Sequence, residues 1–293
     1  MPIDSLAAFR TGGLFLVFEG GQFIWPGVRL GFRRRVTLAT PRGGSREVEV
    51  ETLALLPLVL EVADFLTHGE CDHVIEEAGP NMAQSKVALM DKDVGKADVE
   101  FRTSSTYFLP SQTDTLREVD DRVASLTRVP RQHQEYVQVL RYGHSHHYGS
   151  HHDFWDPIFY QSDEWLAMSH GGFQNRLATV FWYMSDVPLG KKDGRAQPTS
   201  AQHSLSATSV RTPGGETNFP RAHGGPDLPN TQENCGSRGL SVRPAKGKVV
   251  VFYSLRPDGS GDAFSLHSAC PVQEGVKWAA NKWVWNVNKG FIK

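Results

Sequence analysis

His267-Ser-Ala-Cys-Pro-Val-Gln-Glu-Gly-Val-Lys277-Trp-Ala-Ala-Asn-Lys-Trp-Val-Trp285 is the stretch on which the fold turns. Ser265-Leu266-His267 reads as the end of a strand, Cys270-Pro271 and Glu274-Gly275 as a turn, and the aromatic-rich run from Lys277 as a return strand. So read, it is a hairpin with a histidine on one arm and a lysine on the other. Successive side chains of a strand alternate faces, so Ala279, Asn281, Trp283 and Trp285 share the side of Lys277 and line one interior with it. Working outward, Tyr136–Tyr142, Leu177–Met184 and Lys248–Ser254 are equally rich in Val, Tyr, Phe and Trp, and read as further strands. Helical signals come earlier. Thr67-His-Gly-Glu70 is a capping-box pattern opening a helix over Cys71–Glu77, and Leu116, Val119, Val123 and Leu126 recur at helical spacing after Thr113 or Asp114. Helices first and short strands later predict an α+β chain with a mainly β core, an antiparallel barrel or jelly roll backed by helices.

The first part of the chain reads differently. Residues 1–50 look like an appendage of strands and turns, with an apolar run at Leu14–Phe18 and an alternating Val48, Val50 pair; Leu58–Val62 is a strand at the start of the main domain, 51–293. Pro188–Pro213 is too poor in apolar residues to build a core element, and reads as a mobile insert between strands. At 293 residues, 39% hydrophobic and 22% charged, the chain has ordinary globular usage and enough length for a closed core. A formal net charge of -1, with Arg33-Arg34-Arg35 as the only compact basic run, argues against nucleic acid as a partner. The run Gly13–Phe18 is too short to span a bilayer, so no membrane span is expected. Three cysteines, Cys71, Cys235 and Cys270, allow at most one bridge, and free or buried thiols are an equally good reading. Nothing sets an oligomeric state.

Chemistry enters at Tyr148-Gly-Ser-His151-His-Asp153-Phe154. On a strand, His151 and Asp153 point to one face and could grip one ion. Alone the pair is weak evidence, because among 12 histidines a chance match is expected, and the tract His144, His146, His147, His151, His152 could be a solvated loop. Adding His267 changes the argument. Two histidines and a carboxylate leave adjacent open positions, the arrangement suited to Fe(II) that must take a bidentate 2-oxo acid and then O2. The far carboxylate of such a co-substrate needs a cation inside the barrel, and Lys277 would meet that need. Duller readings stay open: a strand-end histidine, a turn aspartate, a surface lysine, a zinc hydrolase or a non-catalytic binding module.

In several motifs the chain resembles the prolyl 4-hydroxylases of the plant and algal type. The resemblance runs from about Leu55 to Asn286. It is carried by Phe65-Leu-Thr-His-Gly-Glu-Cys-Asp-His73, Arg102-Thr-Ser-Ser105, Val137-Gln-Val-Leu-Arg-Tyr142, Gly214-Gly-Glu-Thr217 with Phe219-Pro220, and His267-Ser-Ala-Cys-Pro-Val272 leading to Lys277-Trp278. It implies a double-stranded β-helix and 4-hydroxylation of peptidyl proline in proline-rich or collagen-like substrates. 2-Oxoglutarate would be cleaved to succinate and CO2, with O2 as oxidant and L-ascorbate keeping Fe(II) reduced. By position, His151, Asp153 and His267 resemble the iron ligands, Lys277 the partner of the far carboxylate, and Tyr142 the tyrosine supporting co-substrate binding. Arg102, Ser104, Glu135, Tyr148, Arg176 and Trp283 are similar to residues of the peptide groove. The resemblance also implies the endoplasmic reticulum lumen or secretory pathway, although no signal for it is visible and the chain otherwise reads as soluble and cytoplasmic. The same machinery acting on a lysyl side chain, a free amino acid or an alkylated base is the alternative. Two departures stand out. Ser145 and His146 occupy the turn where the family often has Gly and Gln, and Trp285 stands where a histidine is common.

Overall fold

A computed structural model describes residues 22–41, 44–162, 174–188, 214–225 and 234–290. The expected strand at 14–18 and nearly all of the 188–213 insert lie outside them. In chain order the elements are β1 (Arg33–Ala39), β2 (Ser45–Leu55), β3 (Leu58–Val62), α1 (His68–Ala78), β4 (Ala83–Gln84), β5 (Ser105–Leu109), α2 (Asp114–Thr127), β6 (Val137–Tyr142), β7 (Tyr148–His151), β8 (Arg176–Tyr183), β9 (Thr217–Phe219), β10 (Leu240–Val242), β11 (Val249–Tyr253), β12 (His267–Ala269) and β13 (Lys277–Trp285). They form a nine-stranded sheet in the order β1-β2-β3-β11-β8-β13-β6-β5-β4 and a four-stranded sheet in the order β10-β9-β12-β7. These two facing antiparallel sheets make the double-stranded β-helix, and β1 and β2 continue the larger sheet at one edge.

Strand periodicity decides what each face of the large sheet meets. Val137 and Val139 of β6, Val180 and Trp182 of β8, and Ala280 and Val284 of β13 pack with Val74 of α1 and Leu116, Val119, Val123 and Leu126 of α2. Residues one step over face the small sheet: Leu140, Tyr142, Phe181, Tyr183 and Ala279 meet Phe219, Val242 and Ala269. The helices arise as their sequence predicts. Thr67 accepts from the Glu70 amide and Glu70 returns the bond to the Thr67 amide, completing the capping box. The same Glu70 carboxylate takes two bonds from Arg122 on α2, at 2.7 and 2.9 Å, locking one helix to the other. Five of the predicted strands fall within a residue or two of their observed places.

The hairpin reading is wrong in one essential respect. The two arms never pair: β12 lies in the small sheet between β9 and β7, whereas β13 lies in the large sheet between β8 and β6. Nor does His267 end its strand, since β12 begins there after a short 3₁₀ turn at Ala263–Ser265. The connecting segment crosses between sheets because its backbone finds other partners. The Val272 carbonyl accepts from the Ser145 amide at 2.8 Å, and the Val272 amide donates to the His146 carbonyl at 3.2 Å. Gly214 bridges the same residue, and a Cβ there would sit 2.4 Å from the Pro271 carbonyl oxygen, so only glycine permits this approach. One disulfide, Cys235–Cys270 with Cα atoms 5.4 Å apart, ties the segment ahead of β10 to the end of β12, and Cys71 is a buried thiol in α1.

The turn ahead of β7 keeps a conformation that favours glycine although it carries serine: Ser145 has φ +62°. A left-handed L-residue costs about 1–2 kcal/mol, and glycine gives back about 0.5–1 kcal/mol of that in chain entropy. Ser145→Gly is therefore expected to raise stability by about 0.5–1 kcal/mol. The denaturant midpoint should rise at constant slope; an unchanged or lowered midpoint would show that the serine is not strained.

Candidate metal and co-substrate site

The small sheet presents the histidines. His151 at the end of β7 and His267 at the start of β12 are directly opposed across the strand pair, their ring centroids 4.3 Å apart. Each Nδ1 lies against the carbonyl two residues earlier in the chain, His151 on Gly149 at 2.8 Å and His267 on Ser265 at 2.9 Å. A carbonyl can only accept, so both Nδ1 atoms carry the proton and both Nε2 lone pairs are left for an ion. Asp153 completes the group, with His151 Nε2 at 3.6 Å and His267 Nε2 at 3.8 Å from its two oxygens. All three ligand atoms fall within 4.8 Å of one another.

Electrostatics hold the group ready for a cation. Burial pushes the Asp153 carboxyl upward, but His267, His151, Arg176 and a hydrogen bond from Thr179 bring it down to about 2, so it is ionised. Burial, then the neighbouring His267, drives His151 well below the usual imidazole range, so it is neutral. Thr179 Oγ1 donates to Asp153 Oδ2 at 2.6 Å and fixes which oxygen stays free. Sequence reading missed Thr179. Its signal was a lone hydroxyl inside the buried apolar run of β8.

Lys277 lies deeper between the sheets. It is fully buried, and its ammonium has no hydrogen-bond partner. The rings of Tyr142, Phe181 and Tyr183 surround it at 5.3, 5.3 and 5.6 Å. Burial pulls this amine down to about 7, an effect that the Glu216 carboxylate partly opposes. Both oxygens of that buried carboxylate also lack a hydrogen-bond partner. An orphaned buried ammonium is costly unless something fills the space before it. Spacing along β8 says what fits: Phe181, beside the ammonium, is two residues from Thr179, which holds Asp153. Two strand residues span about 7 Å, which suits a five-carbon dicarboxylate bound at one end by an ion and at the other by the lysine. The histidine–aspartate–histidine donor set suits Fe(II) with open positions, so both implied groups fit the residues present.

The remaining predicted residues gather in two groups beside the triad. On the His151 side, Tyr148 stacks on the His151 ring at 3.6 Å, Arg102 lies 4.5 Å over Tyr148, and Arg102 Nε donates to Ser104 Oγ at 2.8 Å. Burial pushes the Tyr142 hydroxyl up, and Arg102 and Ser104 both act to lower it, so this group adjoins the wall of the lysine cage. On the Asp153 side, Arg176 is gripped by both Glu135 oxygens at 2.6 and 3.0 Å, and its guanidinium lies 3.3 Å over Trp283 and 4.2 Å over Trp155. Trp285, in place of the common histidine, is fully buried and donates its indole N–H to Glu135 at 2.6 Å. That answers what the substitution does locally: it adds a third donor to the acid that holds Arg176.

Comparison with known proteins agrees with this geometry. The family model described as the 2OG-Fe(II) oxygenase superfamily matches residues 137–285, the span containing the triad and Lys277. The Arabidopsis thaliana protein named probable prolyl 4-hydroxylase 8 is 34% identical over 256 residues, covering 86% of this chain and 76% of its own length. Prolyl 4-hydroxylase 5 of the same plant is 34% identical over 255 residues, with the same two coverages. A solved viral collagen prolyl hydroxylase from Paramecium Bursaria Chlorella virus-1 shares 20% identity at a TM-score of 0.48, covering 78% of this chain and 96% of that one, a likeness too loose to carry any argument. A metal triad, a caged lysine and relatives of this identity and coverage lead to one assignment: the chain belongs to the prolyl 4-hydroxylase family of Fe(II) and 2-oxoglutarate dependent oxygenases.

Proposed function

We propose that this protein hydroxylates peptidyl proline at C4 in proline-rich or collagen-like segments, coupled to oxidative decarboxylation of 2-oxoglutarate to succinate and CO2. The observation that carries the reading is the buried Lys277 ammonium, without a hydrogen-bond partner, caged beside Phe181 on the strand whose Thr179 holds Asp153 of the His151–Asp153–His267 triad. Iron, with 2-oxoglutarate and O2, supplies the oxidising power for a C–H bond, and ascorbate keeps it ferrous. The protein's own residues bind and orient. Lys277 takes the far carboxylate, Tyr142 walls the cavity beside it, and His151 and His267 with ionised Asp153 take the metal. Tyr148, held between His151 and Arg102, and the stack of Arg176 on Trp283 are aromatic surfaces beside the triad. Extended polyproline II segments dock against aromatic faces of this kind at little entropic cost, because their backbone is already ordered. Positioning C4 near the metal, rather than any new chemical group, is then the protein's contribution to rate. We place the protein in an oxidising compartment of the secretory pathway, a reading supported by the Cys235–Cys270 bridge.

The test is incubation with iron, 2-oxoglutarate, ascorbate and two peptide sets, Ser-Pro or poly-proline repeats and Pro-Pro-Gly repeats, read by mass spectrometry and succinate release. One oxygen atom added at proline C4 for each succinate released is the expected result. Oxygen on lysine, a free amino acid or an alkylated base, with proline untouched, would reject the substrate assignment.

A further inference from the structure

Lys282 is a lysine where the strand pattern calls for a hydrocarbon. It lies on the helix-facing side of β13, between Ala280 and Val284 of the apolar core, and it is fully buried. Its ammonium pairs with Asp120 of α2, also fully buried, at 2.6 Å. Taking both charges out of water is expensive, and a buried pair seldom stabilises a fold more than two apolar side chains of similar volume. The pair needs another reason to be there.

The geometry supplies one. Beyond Asp120, the Lys282 ammonium donates to the Glu135 carbonyl at 2.8 Å, a bond no hydrocarbon could make. The segment carrying Glu135 is held from three directions: by Lys282, by the Glu135 amide donating to the Trp283 carbonyl at 3.0 Å, and by the Gln134 side-chain amide donating to the Asp120 carbonyl at 3.0 Å. From that fixed backbone the Glu135 carboxylate reaches into the groove to hold Arg176 and Trp285, and Arg176 lies flat on Trp283. An unbroken chain of bonds thus runs from α2 to the groove. The charged neighbours facing Lys282 are Asp120, Glu135 and Arg131, and Arg131 is itself held by Asp121 at 3.3 Å.

We propose that Asp120 and Lys282 are positioning residues for the peptide groove: they touch neither co-substrate nor peptide, and set the backbone from which Glu135 aims Arg176 over Trp283. This rests on the prolyl-hydroxylation reading. The pair is set apart from co-substrate binding, because Lys277, on the opposite face of β13, shares no bond with it.

The decisive protein is the double variant Asp120→Leu/Lys282→Met, which removes both charges at nearly constant volume and is expected to melt at or above the wild-type temperature. Losing the bond to the Glu135 carbonyl should raise the peptide KM about tenfold, while kcat and the KM for 2-oxoglutarate stay within about twofold. A merely structural role would not separate these constants. Asp120→Asn, which keeps an acceptor for Lys282, should fold and raise the peptide KM about threefold. A folded double variant with the wild-type peptide KM, or with kcat and both KM values degraded together, overturns the inference; if the double variant does not fold, Asp120→Asn decides by the same criterion. Failure of the parent reading looks different. A wild-type protein inert towards every proline peptide defeats that reading and this inference with it, whereas an active wild type with an indifferent variant defeats the positioning role alone.

Discussion

His267→Ala is expected to yield a folded protein that holds little iron and releases succinate at least about 100-fold more slowly, since loss even of a residue behind a metal ligand costs about 10–100-fold. His267 and His151 face each other across β12 and β7, so the remaining pair, His151 and Asp153, could bind an ion only from the end of β7 and the bend that follows it. The informative control is His152→Ala. His152 is adjacent to His151, but its Nε2 meets the Ala263 carbonyl at 3.2 Å instead of joining the triad. If the histidine tract bound metal adventitiously, His267→Ala, outside the tract, would not lower iron content and His152→Ala would. If the triad is the site, iron per chain and succinate release collapse in the first and persist in the second. Robust turnover by His267→Ala would remove the foundation of the assignment.

What could be read from sequence, and what could not, divides along the range of the interactions. Local rules found the Thr67 capping box, the apolar face of α2 and the strands carrying Tyr142, Thr179 and Lys277, because propensity and periodicity act within one element. The side-chain parity of β13 was partly legible: Lys277 and Ala279 lie in the cluster between the sheets, whereas Trp283 and Trp285 meet Arg176 and Glu135. Strand partnership was not. Nine residues between His267 and Lys277, with Gly275 in the turn, look like a hairpin locally, and only the placement of β6, β8, β7 and β9 shows that both flanks of each arm are already taken. The pairing of Cys235 with Cys270, 35 residues apart, is equally invisible to spacing. So is the bond from Thr179 to Asp153, which joins β8 to the bend after β7. The departure at Ser145 became interpretable only once its positive φ was known.

Lys277→Met carries the second large effect, and its two halves have opposite signs. Removing the ammonium leaves the far carboxylate of 2-oxoglutarate in an aromatic cage without a cation, a loss of about 2–5 kcal/mol for one side of a buried charge pair. At about 1.4 kcal/mol per decade, the KM for 2-oxoglutarate should rise by roughly 30-fold to several thousandfold. Stability without co-substrate should move the other way, because the folded protein keeps this amine near pKa 7 whereas an ordinary lysine titrates at 10.5. Between those values the unfolded chain holds a proton that the folded chain lacks, so stability rises with pH across the window. The penalty for burying the charge is complete below about pH 7 and vanishes above about 10.5. Methionine carries no such penalty. Melting without co-substrate should therefore show the variant more stable than wild type below pH 7, with the gap closing as pH approaches 10, while added 2-oxoglutarate stabilises the wild type alone. A variant less stable than wild type at low pH would mean that Lys277 already has a partner in the folded protein. Lys277 would then have no free charge to offer the dicarboxylate.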